Sequence, residues 1–217
     1  MTAVLLPAKP RLRGRIHQVA FFVSIPAGVV LIVLAEGAAG TIAAVIYAVS
    51  LSAVFGASAS YHVGNWSMPA LRRMKRLDHS MIFVLIAGSY TPIALLVLHG
   101  AWSIVILTLI WTMAVIGITL KLVRIDGLSK LAATLYMSMG WLVVIPFMQL
   151  YRGLSTAALT LLIAGGALYT MGAIVFAKRS PDPNPAVFGY HEVWHAFIAA
   201  AAACHWAMIL LVLRAST

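Results

Sequence analysis

Charge is what this chain has least of. Of its 217 residues only 9% are Asp, Glu, Lys or Arg, against 63% hydrophobic. A soluble domain carries roughly 25% charged residues, so there is too little polar surface to coat a water-soluble fold. Cysteine is nearly absent too. The single Cys204 lies inside an apolar run, which excludes an intramolecular disulfide and gives no sign of an oxidising compartment. It reads as a small packing residue. Acid is scarcer than base, with 5 Asp and Glu against 15 Lys and Arg, for a formal net charge of +10. Such an excess suggests nucleic acid, but the basic residues sit in short loops between apolar runs, where membrane topology accounts for them. No low-complexity tract, internal repeat or soluble domain interrupts the pattern. What remains is an all-α polytopic membrane protein with a mean hydropathy of +1.01.

A span needs about 20 mostly apolar residues. On that ruler seven are predicted: Ile16–Ala35, Thr41–Tyr61, Asp78–Leu98, Trp102–Val123, Leu131–Leu150, Ser155–Phe176 and His191–Leu213. Glycine, proline and polar residues separate them, most densely at Ser180-Pro181-Asp182-Pro183-Asn184-Pro185. The basic stretch Lys9 to Arg15 ahead of an apolar run resembles a secretory leader, but the run exceeds the ~7–15 residues of a leader's apolar core. Residues 1–15 are therefore expected to form a basic cytoplasmic segment, and residues 16–217 a single seven-helix membrane domain.

Lysine and arginine set the orientation. With the N-terminus inside, Lys9, Arg11, Arg13, Arg15, Arg72, Arg73, Lys75, Arg76, Lys121, Arg124, Lys130, Lys178 and Arg179 face the cytoplasm, leaving Arg152 and Arg214 outside. The positive-inside rule then expects a cytoplasmic N-terminus and an outward C-terminus. Under that topology the second span ends at His62 while the third and seventh begin at Asp78 and His191, so these ionisable groups share the cytoplasmic end.

His191 and His195 are four apart on one helical face, a spacing at which two imidazoles can hold one ion. His62 supplies a third nitrogen at matching depth. Three protein ligands with an open position is the pattern of a catalytic zinc site. Ser58 lies one turn deeper than His62 on the same face, and Asp78 is placed to orient a ligand histidine or to accept a proton from water. Each has a plainer reading: Asp78 as a helix cap, Ser58 as a packing residue, any one histidine as an interfacial polar group. His17 is either interfacial or a supporting neighbour of the site. His79 points about 100° away from Asp78, His99 falls in an outer loop, and His205 lies too deep, about 15 Å beyond His195.

His191-Glu192-Val193-Trp194-His195 also matches His-Glu-x-x-His, the zinc-protease motif in which the glutamate is the general base. A turn rich in proline just before Glu192, and a third histidine elsewhere, weaken that reading.

Ser58-Ala59-Ser60-Tyr61-His62, Leu77-Asp78-His79-Ser80, Ile86-Ala87-Gly88-Ser89-Tyr90-Thr91-Pro92 and His191-Glu192-Val193-Trp194-His195 together closely resemble the hemolysin III family. That family belongs with the progestin and adipoQ receptors and, more distantly, the alkaline ceramidases. The resemblance implies seven helices in a bacterial-type plasma membrane and a cytoplasmic-side zinc ion on His62, His191 and His195, with Ser58 and Asp78 beside it. It also implies a metal-dependent hydrolase of lipid amide bonds. The mechanism expected for these residues is hydrolysis of a lipid amide or ester, with a membrane lipid as substrate, Asp78 accepting or orienting the proton of water and Ser58 donating a hydrogen bond to the developing oxyanion. The competing expectation is a non-enzymatic sensor or regulator of membrane state, or a cytolytic protein, with structural zinc. Oligomeric state is left open. One departure stands out: many bacterial members carry an acidic residue, then Asn and Ser/Thr-His, near the start of the first span, where this chain has Arg15-Ile16-His17-Gln18, with His17 in the histidine's place and no acidic partner.

Overall fold

The computed structural model describes residues 9–123 and 129–215. Arg124, Asp126 and Gly127 lie outside the described residues, as does the side chain of Lys130. The chain is helical almost throughout: α1 (Arg15–Leu34), α2 (Gly37–Val63), α3 (Met68–Leu96), α4 (Ala101–Val123), α5 (Ser129–Trp141), a 3-10 turn (Leu142–Val144), α6 (Phe147–Gly153), α7 (Thr156–Lys178) and α8 (Tyr190–Ala215). Among the described residues six helices are long and apolar enough to cross a bilayer, and the bent pair Leu131–Val144 and Phe147–Gly153 makes a seventh when counted as one span. This is an all-α polytopic membrane protein.

Two elements depart from the predicted spans for identifiable reasons. The fifth span is bent by 54°. Pro146 sits at the break, as the N-cap of α6. Its ring lacks an N–H and crowds the carbonyl four residues back, which favours a kink or break at this point, although α1 and α3 run on through Pro26 and Pro92. The third helix begins ten residues before Asp78, at Met68, after Ser67 and with Pro69 in its first turn. Proline is pre-organised for a helix start, and the Leu, Arg, Met and Lys that follow are good helix formers. Asp78 therefore lies well inside α3, which removes the capping role considered for it.

The helices pack largely in chain order, α1 on α2, α2 on α3, α3 on α4 and α7 on α8, and α8 closes back onto α1 and α3. Small residues make the tight contacts, as expected where lipid gives no hydrophobic drive between helices. A Cβ on Gly28 of α1 would meet the Cβ of Ala48 of α2 at 2.8 Å, and one on Gly88 of α3 would meet Ser50 Oγ of α2 at 2.3 Å. Large apolar side chains on the outer helices, among them Phe22, Val33, Ile104, Val115 and Ile163, remain exposed as lipid contacts. Several of the buried polar residues lie on helices that meet one another. Ser58 and His62 lie in α2, Asp78 in α3, and Glu192 and His195 in α8, joined by His17 of α1.

Candidate metal centre

His62 is presented by the last turn of α2, and His191 and His195 by the first two turns of α8. One nitrogen from each of these histidines lies within 4.8 Å of the others. His62 Nε2 and His191 Nε2 approach to 3.2 Å. Tetrahedral zinc–nitrogen bonds of ~2.0–2.1 Å set ligand nitrogens about 3.4 Å apart, so that pair already has the right spacing and His195 needs a modest side-chain adjustment. His195 supplies the test of fit. It is 1% exposed, and neither Nδ1 nor Nε2 has a hydrogen-bond partner. Buried polar atoms are nearly always paired, and leaving them bare costs about 1–3 kcal/mol each. A cation on one nitrogen removes that cost on the metal side. Three neutral imidazoles and no thiolate make a donor set suited to zinc and to several other first-row ions.

Asp78 borders the cluster. Its Oδ2 lies 4.0 Å from His62 Nε2 and 3.6 Å from His79 Nδ1, with the residue 8% exposed. His79 Nδ1 also stands 2.8 Å from the Lys75 carbonyl, to which it donates. Ser58, one turn from His62, connects the carboxyl to the first helix. Its hydroxyl reaches Asp78 and lies 2.8 Å from His17 Nδ1. If Ser58 donates to the carboxylate, the Nδ1–H of His17 donates to Ser58; that tautomer is assigned from the network.

Sequence reasoning placed His17 only loosely. Its ring lies flat on His195, with centroids 3.7 Å apart and planes 8° from parallel, and it makes a T-shaped contact with Phe55. A ring stacked in this way cannot share an in-plane ion with His195, so His17 supports the ligand. The available signal was its place at the inner end of the first span, level with the other histidines.

Arg13 and Gly14 were missed as well. Gly14 takes a left-handed φ of +79° ahead of α1, and a Cβ there would sit 2.5 Å from His62 Cβ. Only glycine lets the backbone turn in that close. The turn carries Arg13 onto the carboxylate of Glu192, which is 1% exposed. The other Glu192 oxygen accepts from the Gly189 N–H at 2.8 Å. This is the returning half of a capping box, with glutamate three residues after the cap. Both oxygens of Glu192 are thus engaged in structure, which leaves the zinc-protease base without a free carboxylate. The strand of backbone before Gly14 pairs with the turn before α8, through Arg11 N–H to Ala186 O at 3.0 Å and Leu12 N–H to Val187 O at 3.1 Å. Lys9, farther along, has its ammonium pKa pushed down by partial burial and by the Arg13 guanidinium.

An aromatic wall closes the side toward α7. Trp194 and Phe176 pack around His191, while Tyr61 packs on His62. His205 belongs elsewhere, facing Tyr169 and the Leu162 carbonyl between α7 and α8.

The chain is similar to known proteins along most of its length. The family model described as haemolysin-III related matches residues 7–206. The chain belongs to the haemolysin III-related family. Among its relatives, Hemolysin-3 of Bacillus cereus is 34% identical over 186 residues, covering 84% of this chain and 81% of that protein. The Hemolysin-3 homolog of Bacillus subtilis is 33% identical over 198 residues, covering 89% of each. The human monocyte to macrophage differentiation factor is a more distant relative, 28% identical over 175 residues, covering 76% of this chain and 68% of that one. The haemolysin III match begins before α1 and extends past His205 of α8, so every residue of the cluster lies within it.

Proposed function

We propose that the chain is a zinc-dependent hydrolase of lipid amide or ester bonds, acting at the inner leaflet of a bacterial-type plasma membrane with its N-terminus in the cytoplasm. The observation that carries this reading is His195, a buried imidazole with both nitrogens unpartnered, beside two further histidines and a carboxyl group. His62, His191 and His195 would hold the ion through neutral ring nitrogens. A zinc ion so held supplies Lewis acidity toward a carbonyl and brings the pKa of water down toward ~7.

The remaining work falls to the protein. Asp78 Oδ2, next to His62, takes the proton released as water adds to the carbonyl carbon. It returns that proton to the nitrogen or oxygen that leaves when the C–N or C–O bond breaks. Ser58, tied between His17 and Asp78, orients the carboxyl; this engagement favours orientation over the hydrogen bond to the developing oxyanion expected from the sequence. His17 holds the His195 ring by stacking. The acyl chain of the substrate would lie between apolar helices, with the scissile bond at the end of α2.

A second reading has an observation of its own. The cluster is covered by the Gly14 turn and the Arg13–Glu192 pair, as suits a structural ion joining α2 to α8. The name Hemolysin-3 borne by the Bacillus cereus relative points to cytolysis, in which case this protein would be a non-enzymatic cytolytic agent or a regulator of membrane state. The spans are too uniformly apolar to line a wide aqueous channel.

Elemental analysis of detergent-purified protein beside His191→Ala begins the test. One zinc per chain is expected, lost in the variant. Lipid amides and esters are then screened with Asp78→Asn, which is expected to keep zinc and lose turnover. No metal in a folded wild type removes the hydrolase. Zinc without turnover of any lipid amide or ester moves the balance to the structural ion.

A further inference from the structure

A second group of like charges is left over at the start of α3. Arg72, Arg73 and Arg76 line a groove of about 330 Å³ with Met68 and Pro69. Among the described residues none of the three arginines has a carboxylate partner, and the Nε–H of Arg76 is shut off from solvent with no acceptor. The positive-inside rule explains why cations are present at this end. It does not explain an Nε–H left bare on the half-buried Arg76, since a donor kept from water without an acceptor is destabilising.

The surroundings favour an anion. Arg72 and Arg76 are one turn apart on the same face, with Arg73 beside them. The first turn of α3 contains no acidic residue, and the Ser67 side chain does not cap it. The helix dipole therefore adds positive potential at the end of the groove where Met68 and Pro69 lie, one turn before Arg72. Guanidinium forks match the oxygens of a phosphate, two at a time. Met68 in the groove and Leu77 next to Arg76 are exposed, the mixture of apolar and cationic groups found where a protein meets lipid headgroups. Arg76 and Asp78 are two residues apart and so point about 160° away from each other around the helix. The groove lies across α3 from the histidines and is no extension of their site.

We infer that this groove seats the phosphate of an anionic membrane phospholipid, held as a bound lipid against α3. The apolar residues beside the arginines provide for its glycerol and first methylenes, which a free phosphate ion does not have.

Native mass spectrometry of the detergent-solubilised chain tests this. Phosphatidylglycerol and phosphatidylcholine are titrated in parallel, with inorganic phosphate as competitor. The expected result is one phosphatidylglycerol retained with a preference of about tenfold, equivalent to one strong charge-assisted contact. The preference is expected to vanish in Arg76→Gln, to weaken severalfold in Arg76→Lys, and to persist in Lys178→Gln, which removes a cation from a different helix. Circular dichroism checks that each variant is helical; should Arg76→Gln fail to fold, the comparison rests on Arg76→Lys and Arg72→Gln. Equal retention of the two lipids, or phosphatidylglycerol retained unchanged in the arginine variants, overturns the inference. Displacement of the lipid by millimolar inorganic phosphate assigns the groove to a free anion and also overturns it.

Discussion

Removing the two partners of the Arg13–Glu192 pair one at a time should give unequal losses of stability. Arg13→Ala strands a carboxylate that is 1% exposed. Breaking a buried pair from one side costs ~3–5 kcal/mol. Glu192 keeps its bond from Gly189 N–H, which offsets about 1 kcal/mol and leaves a net loss of roughly 2–4 kcal/mol. Glu192→Gln preserves the volume and an acceptor oxygen, and the guanidinium it releases is 22% exposed and can turn to water. That change should cost about 1–2 kcal/mol. In the double variant the stranded carboxylate is gone, so Arg13→Ala/Glu192→Gln should be less damaging than the sum of the two. Reversible unfolding in mixed micelles, followed by tryptophan fluorescence, gives all three values. The reasoning is refuted if Glu192→Gln is the more damaging change, or if both lie within ~0.5 kcal/mol of wild type, as substitutions away from structural features do. The same variant separates the two roles open to the glutamate. A proteolytic general base predicts Glu192→Gln to be stable and inactive on peptides, whereas a helix-capping ion-pair partner predicts a loss of stability.

Two further substitutions probe the support of the proposed zinc site. His17→Phe keeps a flat ring against His195 but deletes the bond to Ser58, and it should retain zinc with an affinity lowered by about tenfold, the usual size of such outer contacts; a chelator-competition titration measures it, and unchanged affinity and turnover would remove His17 from the site. Gly14→Ala puts a methyl group into the space of His62 Cβ and strains a positive φ, and it should cost at least about 1–2 kcal/mol and release the metal; the same unfolding assay with elemental analysis reads both.

Much of the architecture was legible because lipid imposes a coarse alphabet. Runs of about 20 apolar residues and the Lys and Arg between them mark spans with little ambiguity. The His191/His195 pair was readable from helical spacing, and His62 from the expected return of α2 to the same end. The bend at Pro146 was hidden by hydropathy, which does not register a missing N–H. Asp78 looked like the start of a helix because the preceding Arg72-Arg73-Met74-Lys75-Arg76 is charged, yet charge does not stop a helix that has left the hydrocarbon. Contacts of long sequence separation were least accessible. Nothing local to Arg13 indicates that its partner is Glu192, 179 residues away, and nothing local to His17 indicates a ring stacked on it from the last helix.

That separation has a consequence for the birth of the protein. His62 and His191 meet across 129 positions of chain, and at ~5–20 residues per second a ribosome takes roughly 6–26 s to bridge that interval. Throughout it, His17, Ser58, His62 and Asp78 sit in the bilayer without the helix that completes their surroundings. A nascent chain stalled before α8 would therefore present a polar notch to lipid, with Arg13 still waiting for its carboxylate. Membrane proteases that recognise unpaired polar groups would have a ready mark of an unfinished molecule, and arrival of the last helix would erase it.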